Sequence, residues 1–462
     1  MKLVVVGGGP AAFAGALRAA AQGAEVTLVC SEPLGGTCVN AGCLPSKMLI
    51  RAAALAHESA AHNLRGIERH RPAVDLQAHL AQQQARIDEI LYSRYRAPLE
   101  NRANVHLLPG RARFTDPHTV EVAVTDGASC QVHGDRFLIA TGASPWIPPI
   151  SGINDVPFWT SDDAVKSQRL PDHLLVIGGS AVALELGQAF QHLGCNVTLV
   201  TRRGLLSRED PAVGAAMLDI LQREGMSIHT KTVPTAAAYR NGIFTLRLPK
   251  GDLRGDALLV ATGRAPNSGA LGLENAGVAL DARGAVKVDK MMRTNVEHIY
   301  AAGDCTTQPQ LVCVGAAAGT RAAVNLMGGS APLDLSAVPS VLFTSPQVAT
   351  VGLTEARARQ HGIVPECRVL PLERVARALV NFDTWGFIKL VARKDNGRLL
   401  GAQIVAGQAG EIIQAAALAL HNRMTVAEIG DQLFPYLTMV EGLRLCAQSF
   451  YLDIDDLSCC AG

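Results

Sequence analysis

The stretch Leu3-Val4-Val5-Val6-Gly7-Gly8-Gly9-Pro10-Ala11-Ala12 runs from a β-branched strand through a glycine turn into an Ala-rich helical pattern, and Ala24-Glu25-Val26-Thr27-Leu28-Val29 follows as a second strand. This is a βαβ unit carrying a glycine fingerprint, in which small residues let the backbone and a helix N-terminus approach a phosphate. A second copy begins at Leu174-Leu175-Val176-Ile177-Gly178-Gly179-Ser180-Ala181-Val182-Ala183, passes through Glu185 and Leu186, and ends at Asn196-Val197-Thr198-Leu199-Val200, in gapless register with the first. One such loop arises easily by chance. Two, each set between a strand and a helix, imply two nucleotide-binding units.

Outward from these units, residues 76 to 96 carry a long helical pattern, and short β-like runs follow at 105–108, 119–124 and 137–140, the last leading into Ala140-Thr141-Gly142. A second such triplet, Ala261-Thr262-Gly263, follows the strand at 257–260, so each unit closes in the same way. Next comes Ile299-Tyr300-Ala301-Ala302-Gly303-Asp304, a strand entering a Gly-Asp turn, then a Gly/Ala-rich helix through Gly315 to Leu326. Gly328-Gly329-Ser330-Ala331-Pro332 reads as a linker. Beyond it, strands at 341–343, 387–391 and 399–405 and helices at 410–422 and 425–433 make a separate α+β domain. The last residues, from Leu452 to Ser458-Cys459-Cys460-Ala461-Gly462, read as a short acidic, mobile tail.

A length of 462 residues, 48% hydrophobic content and 44 glycines suit a multidomain α/β protein rather than a disordered one. The net charge of +1, from 42 basic and 41 acidic residues, offers no broad attraction to nucleic acid or to an anionic membrane. Small-molecule partners are expected. No apolar run reaches membrane-spanning length, and the N-terminal apolar run is too short for a signal sequence. Eleven cysteines, mostly scattered without framework spacing, point to a reducing compartment, the cytoplasm.

Two cysteine pairs stand out. Cys38 and Cys43 lie within Gly35-Gly36-Thr37-Cys38-Val39-Asn40-Ala41-Gly42-Cys43-Leu44-Pro45-Ser46-Lys47, just before the helical run Met48-Leu49-Ile50-Arg51. Glycines ahead of the pair let backbone approach a cofactor. A thiol at a helix start feels the positive end of the helix dipole and is held as thiolate, the form that attacks sulfur or binds a soft metal. The second pair, Cys459 and Cys460, has little packing value so near the chain end but offers two soft ligands.

Together these motifs resemble the pyridine nucleotide-disulfide oxidoreductase family over essentially the whole chain, and within it the mercury(II)-reducing branch. The resemblance implies an α/β architecture of two Rossmann-like domains, for FAD and NADPH, with a C-terminal α+β dimerisation domain. Its domain order maps onto residues 1–150 for FAD, 151–265 for NADPH, 266–333 for a central domain completing the FAD site, and 334–462 for dimerisation and the Cys-Cys tail. Gly7, Gly9 and Ala12 would face the FAD pyrophosphate, Thr37 the phosphates, Ala112 the adenine, Asp304 the ribityl chain and Val312 the flavin. Lys47, paired with Glu185, would sit on the N5 side of the flavin and stabilise its reduced form. Where the family usually places an acid for the adenosine ribose, this chain has Cys30, expected as a small buried residue; either Glu32 takes that role or the contact is absent. Gly178, Ser180 and Ala183 form the second fingerprint, with Ser180 in place of the usual middle glycine. After it Thr201-Arg202-Arg203 replaces the acid that would bind a free 2′-hydroxyl, and Arg202 and Arg208 match positions that pair with the 2′-phosphate of NADPH.

Disulfide reductases of the family carry a His-Pro-Thr-x-x-Glu stretch whose histidine protonates a departing thiolate, and here that stretch reads Tyr436-Leu437-Thr438-Met439-Val440-Glu441. A phenol of pKa about 10 is poorly matched to shuttle a proton at neutral pH, although its hydroxyl can steer a metal. The neighbouring sequence and Tyr95 match active-site tyrosines of the mercury branch, whose many members also carry an N-terminal metal-binding module that precedes the flavin domain and is not expected within these residues. The resemblance implies that Cys459 and Cys460 take Hg(II) from small thiols and deliver it to Cys38 and Cys43 of the other subunit of a homodimer, with Cys43 the thiolate beside the flavin and Cys38 the outer thiol. A mercury-detoxifying reductase is the resulting expectation. Two other readings share these residues: a large thioredoxin reductase-like enzyme, which needs the histidine that position 436 lacks, and a non-catalytic thiol metal sink, which would bind without sustained NADPH oxidation.

Overall fold

A computed structural model describes residues 1–31, 33–124 and 127–453 of the chain. The first fingerprint lies where the reading of the sequence puts it. Strand Lys2–Val6 enters the turn, helix Pro10–Ala21 leaves it, and strand Glu25–Cys30 returns parallel to the first. These strands sit inside a seven-stranded sheet in the order Ile299–Ala301, Arg136–Ile139, Lys2–Val6, Glu25–Cys30, Val105–Asp116, Thr119–Val124, Ser129–His133. The first five are parallel, and the first four of them are largely buried, which is why they read as continuous apolar runs; the last two are antiparallel hairpin strands. Strand Val105–Asp116 is longer than its apolar stretch suggests because it bends from the parallel ladder into the hairpin.

Small residues bring the central region to the first fingerprint. Helix Pro10–Ala21 packs on helix Val312–Leu326 at backbone distance: a Cβ on Gly319 would lie 2.0 Å from the Ala11 carbonyl oxygen. That approach places strand Ile299–Ala301 at the edge of the same sheet and swings Gly303, at φ +81°, against Ala11. Asp304 therefore arrives at the mouth of the first fingerprint, although 292 positions separate it from Ala12.

The second fingerprint heads a four-stranded parallel sheet ordered Ser227–His229, Asn196–Val200, His173–Ile177, Ala257–Val260, beside a three-stranded antiparallel sheet of Ala236–Arg240, Ile243–Leu248 and Gly251–Gly255. A two-stranded ribbon, Ala143–Pro145 with Arg264–Pro266, joins the segments that follow the two Ala-Thr-Gly triplets. The C-terminal region is a five-stranded antiparallel sheet ordered Ser340–Leu342, Gln347–Gly352, Leu399–Ala406, Phe387–Arg393, Pro365–Pro371, covered by helices Ala409–His421 and Glu441–Gln448.

Two expectations need correction. The helical pattern at 76 to 96 is an α-helix only over Leu76–Leu91, capped by Asp75, and then widens into a π-helical turn, Tyr92–Arg96. The helix expected at 425–433 stops at Gly430: Thr425 and Glu428 form a capping box at its start, and the chain turns away after one and a half turns.

The second unit and the C-terminal sheet are tied by a buried ion pair, Lys389 Nζ to Asp210 Oδ2 at 2.7 Å, with side chains 9% and 3% exposed. Asp210 also caps helix Pro211–Arg223 through the Ala212 N–H. Lys389→Met should lower the unfolding free energy by about 3 kcal/mol, because it leaves a buried carboxylate without its cation. Urea denaturation checks this, and an unchanged midpoint would mean that the pair contributes nothing to joining the units.

Candidate active site

The glycines decide how the first cysteine pair is presented. Gly35 and Gly36 have φ of +91° and +60°, and a Cβ on Gly36 would lie 2.7 Å from the Gly9 Cα, so the short helix Gly36–Asn40 begins in contact with the first fingerprint loop. Gly42 packs its Cα against the Thr37 carbonyl and turns the chain at once into the nineteen-residue helix Cys43–Ala61, of which Cys43 is the first residue. No side chain caps that helix and no acid sits in its first turn, so its positive end is left to Cys43.

Cys38 and Cys43 are hydrogen-bonded to one another and share one proton unequally. The Cys43 thiol is pushed down to about 7, first by the hydrogen bond from Cys38 and then, against burial, by the charge of Lys47. Cys38 is driven up by the same hydrogen bond, by burial and by the Cys43 charge. At neutral pH the arrangement is a Cys43 thiolate accepting from a Cys38 thiol.

Lys47 stands one turn beyond Cys43. Its Nζ lies 2.6 Å from Glu185 Oε2, and the two side chains are 34% and 8% exposed. The other oxygen of Glu185 accepts the Phe343 N–H at 2.9 Å, while the Phe343 ring centroid is 4.6 Å from the ammonium. The cation that polarises the thiols is therefore held between the second βαβ unit and the C-terminal region.

Tyr95 enters from the π-helical turn. Widening the turn by one residue re-aims a side chain, a device common at functional positions, and here it lays Tyr95 on Phe13, ring centroids 4.6 Å apart. Its hydroxyl is pushed up to about 12 by burial and by the charges of Cys38 and Cys43. Beside a thiolate it is a neutral phenol able to donate a hydrogen bond.

The two fingerprints repeat each other atom for atom at their tightest points. Gly7, at φ +131°, would place a Cβ 2.1 Å from the Ala140 oxygen; Gly178, at φ +147°, would place one 2.3 Å from the Ala261 oxygen. Gly8 packs on Cys30 and Gly179 on Thr201, positions that correspond in the shared register, and Cys30 is 4% exposed, the small buried residue expected. The helices that follow start at Gly9 and Ser180 without side-chain caps or first-turn acids, leaving N–H groups for an anion. Ala12 and Ala183 are fully buried beneath these turns. These cradles fit the pyrophosphates of FAD and NADPH.

Around the first cradle, Ala112 is buried in strand Val105–Asp116 and Val312 opens helix Val312–Leu326 with 42% exposure. Burial pushes the Asp304 carboxyl up while Arg264 opposes the shift, and Arg264 also reaches Thr37 Oγ1 at 3.4 Å. Arg264, which directly follows the second Ala-Thr-Gly triplet, is a site residue that sequence reasoning missed, as are Phe13 and Phe343. Arg202 and Arg208 are exposed on the turn after strand Asn196–Val200.

Tyr436 and Glu441 belong to the C-terminal region and are not among the groups acting most strongly on the thiols. Tyr436 is 61% exposed next to Leu437, which holds a positive φ of 58°. Glu441 opens helix Glu441–Gln448 at 3% exposure, with its carboxyl pushed up by burial against the opposing charge of Arg444, 3.8 Å away. Glu32, Cys459 and Cys460 lie outside the described residues. No helix among the described residues is long and apolar enough to cross a membrane.

Comparison with known proteins agrees with this geometry. The family profile described as pyridine nucleotide-disulphide oxidoreductase matches residues 1–319, and the dimerisation domain of that family matches residues 338–447. The mercuric reductase of Acidithiobacillus ferrooxidans is 54% identical over 465 residues, spanning 100% of this chain and 85% of the relative. That of Shigella flexneri is 54% identical over 469 residues, spanning 100% and 83%. The crystal structure of LpdA from Mycobacterium tuberculosis superposes with a TM-score of 0.89 at 28% identity, covering 98% of this chain and 100% of that one.

In the reduced protein, alkylation of Cys43 by iodoacetamide should rise with pH along a curve with its midpoint at about 7, because the thiolate is the nucleophile. Cys38→Ala removes the largest cause of the depression and should move that midpoint upward. Mass spectrometry of the Cys43 peptide across a pH series reads both values; a midpoint unmoved by the substitution would contradict the shared-proton arrangement.

Proposed function

The chain belongs to the pyridine nucleotide-disulphide oxidoreductase family, and from that premise we propose that it is an NADPH-dependent, FAD-containing reductase of thiol-bound Hg(II), active as a homodimer. The observation that carries this reading is the polarised pair, a Cys43 thiolate hydrogen-bonded to a Cys38 thiol beside Lys47. Two thiolates held together suit Hg(II), a soft cation that prefers two sulfur ligands in line.

Gly7, Gly9, Ala12, Thr37, Ala112, Asp304 and Val312 would hold FAD, with Glu32 or no side chain at the adenosine ribose. Gly178, Ser180, Ala183, Arg202 and Arg208 would hold NADPH, the two arginines at its 2′-phosphate. When bound, these cofactors supply two-electron chemistry. The chain's own residues do the rest. Ligand exchange brings Hg(II) from small thiols to the second subunit's Cys459 and Cys460 and then to Cys38 and Cys43. Each exchange makes one Hg–S bond and breaks another, and the displaced thiolate takes up the proton that the incoming thiol gives away. Cys38 loses its proton as the second Hg–S bond forms. Tyr95, a neutral phenol beside the sulfurs, and Tyr436 of the second subunit orient the ion without carrying protons. Two electrons convert Hg(II) to Hg(0), both Hg–S bonds break, and the sulfurs are left as thiolates. Lys47 stabilises negative charge throughout, and Glu185 keeps it in place.

The dimerisation domain supports assembly of two copies, and exposed apolar side chains gather on it: Leu379, Phe382, Leu418 and Leu433 are 53%, 60%, 55% and 97% exposed. The trans-subunit route also gives a use to Tyr436 and Glu441, which belong to the C-terminal region.

With Hg(II) in excess thiol, the holoenzyme should consume NADPH continuously, while oxidised glutathione and thioredoxin should give little turnover. Removing residues 454–462 should slow turnover of the thiol-bound ion on the order of tenfold by abolishing intramolecular delivery. Stimulation by the disulfides instead of Hg(II), or stoichiometric binding without NADPH consumption, would overturn the assignment.

A further inference from the structure

We propose that His57, His192 and Glu224 form a second metal site, for one divalent first-row transition ion of the Zn2+ class, at the junction of three parts of the fold. His57 lies in the helix that Cys43 opens, His192 near the end of helix Ala181–Leu193, and Glu224 just after helix Pro211–Arg223. One ligand atom from each lies within 4.8 Å of the others. The two imidazoles stack with centroids 3.8 Å apart and planes 12° off parallel, and His192 Nε2 is 3.3 Å from Glu224 Oε2.

Two features favour a ligand set over a packed histidine pair. The carboxylate is held from behind: Gln188 Nε2 donates to Glu224 Oε2 at 2.9 Å, and Gln188 is itself fixed by the Ser345 N–H at 2.8 Å. Gln191 Nε2 also fixes the Glu224 carbonyl at 2.6 Å. Such outer contacts orient ligands in metal sites. Secondly, His192 and the Glu224 side chain are 5% and 10% exposed whereas His57 is half-buried, which leaves an entry path and a position for a water ligand. A tetrahedral ion asks for about 3.4 Å between ligand atoms, which His57 reaches by turning its ring out of the stack on His192. Two imidazoles and one carboxylate, with no thiolate, select a borderline first-row ion over Hg(II), which the thiols retain.

The site ties the thiol helix to the second nucleotide unit and, through Gln188 and Ser345, to the C-terminal region. These are the parts that also meet at Lys47, Glu185 and Phe343. Arg71, whose charge acts on His57, opposes the ion.

The test uses untagged, oxidised holoenzyme with accessible thiols capped by iodoacetamide, dialysed against buffered Zn2+ at pH 7.5. Parent protein should retain one Zn2+ per chain and melt at a higher temperature with Zn2+ than without. His57→Gln and Glu224→Gln should each weaken binding by about tenfold or more and abolish the Zn2+-dependent rise in melting temperature. Arg71→Gln should tighten binding severalfold, an effect that a purely structural histidine pair would not show. Circular dichroism and flavin content establish that each variant is folded, and His57→Gln, at a half-exposed position, serves if Glu224→Gln is not. No retained Zn2+ in the parent, or equal retention in folded variants, overturns the proposal.

Discussion

The ion pair between Lys47 and Glu185 is the interaction on which the rest of the site depends. Glu185 is buried, and a charge out of water needs both a cation and further hydrogen bonds to be tolerated. It finds them in Lys47, from the helix that begins at Cys43, and in the Phe343 N–H, from the C-terminal region. One carboxylate thus fixes three distant segments with respect to each other. The ammonium it immobilises is also one of the groups that draw the proton from Cys43. Position and protonation state come from the same contact.

The repeated units show how strongly backbone geometry constrains the sequence. Gly7 and Gly178 occupy left-handed conformations pressed against a carbonyl, so no side chain fits at either position. Departures from the fingerprint occur only where there is room. Ser180 is exposed, and Cys30 and Thr201 are both small enough to lie against a glycine. Charge then separates the units: Arg202 follows Thr201 and suits a phosphate, whereas Ser31 follows Cys30.

Much of this was legible in the sequence because it is local. The glycine turns, the Ala-Thr-Gly closures, the buried parallel strands and the start of the helix at Cys43 are short runs whose residue types have one physical use. Among the strands outside that set, Gln347–Gly352 carries mixed polarity and Pro365–Pro371 lies at a sheet edge, so periodicity hid them. The π-helical turn that re-aims Tyr95 was not legible, because the apolar pattern around it remains compatible with a regular helix. Neither were Phe343, Arg264 or the meeting of His57 with His192: each depends on contacts between residues more than 100 positions apart, which no local pattern encodes. Tyr436 and Glu441 were readable only through family resemblance, which also supplied the role of the terminal cysteines beyond two soft ligands.

The central claim is that Lys47, anchored by Glu185, adds to the hydrogen bond from Cys38 in drawing the ionisation of Cys43 down to about 7. Its most direct test is the pH at which the long-wavelength thiolate absorbance of the two-electron-reduced holoenzyme develops, compared between the parent and Lys47→Met. The parent should be half-developed at about 7, with the band growing as pH rises, and the variant should require a pH higher by about one unit. An identical titration in the two proteins would contradict the account.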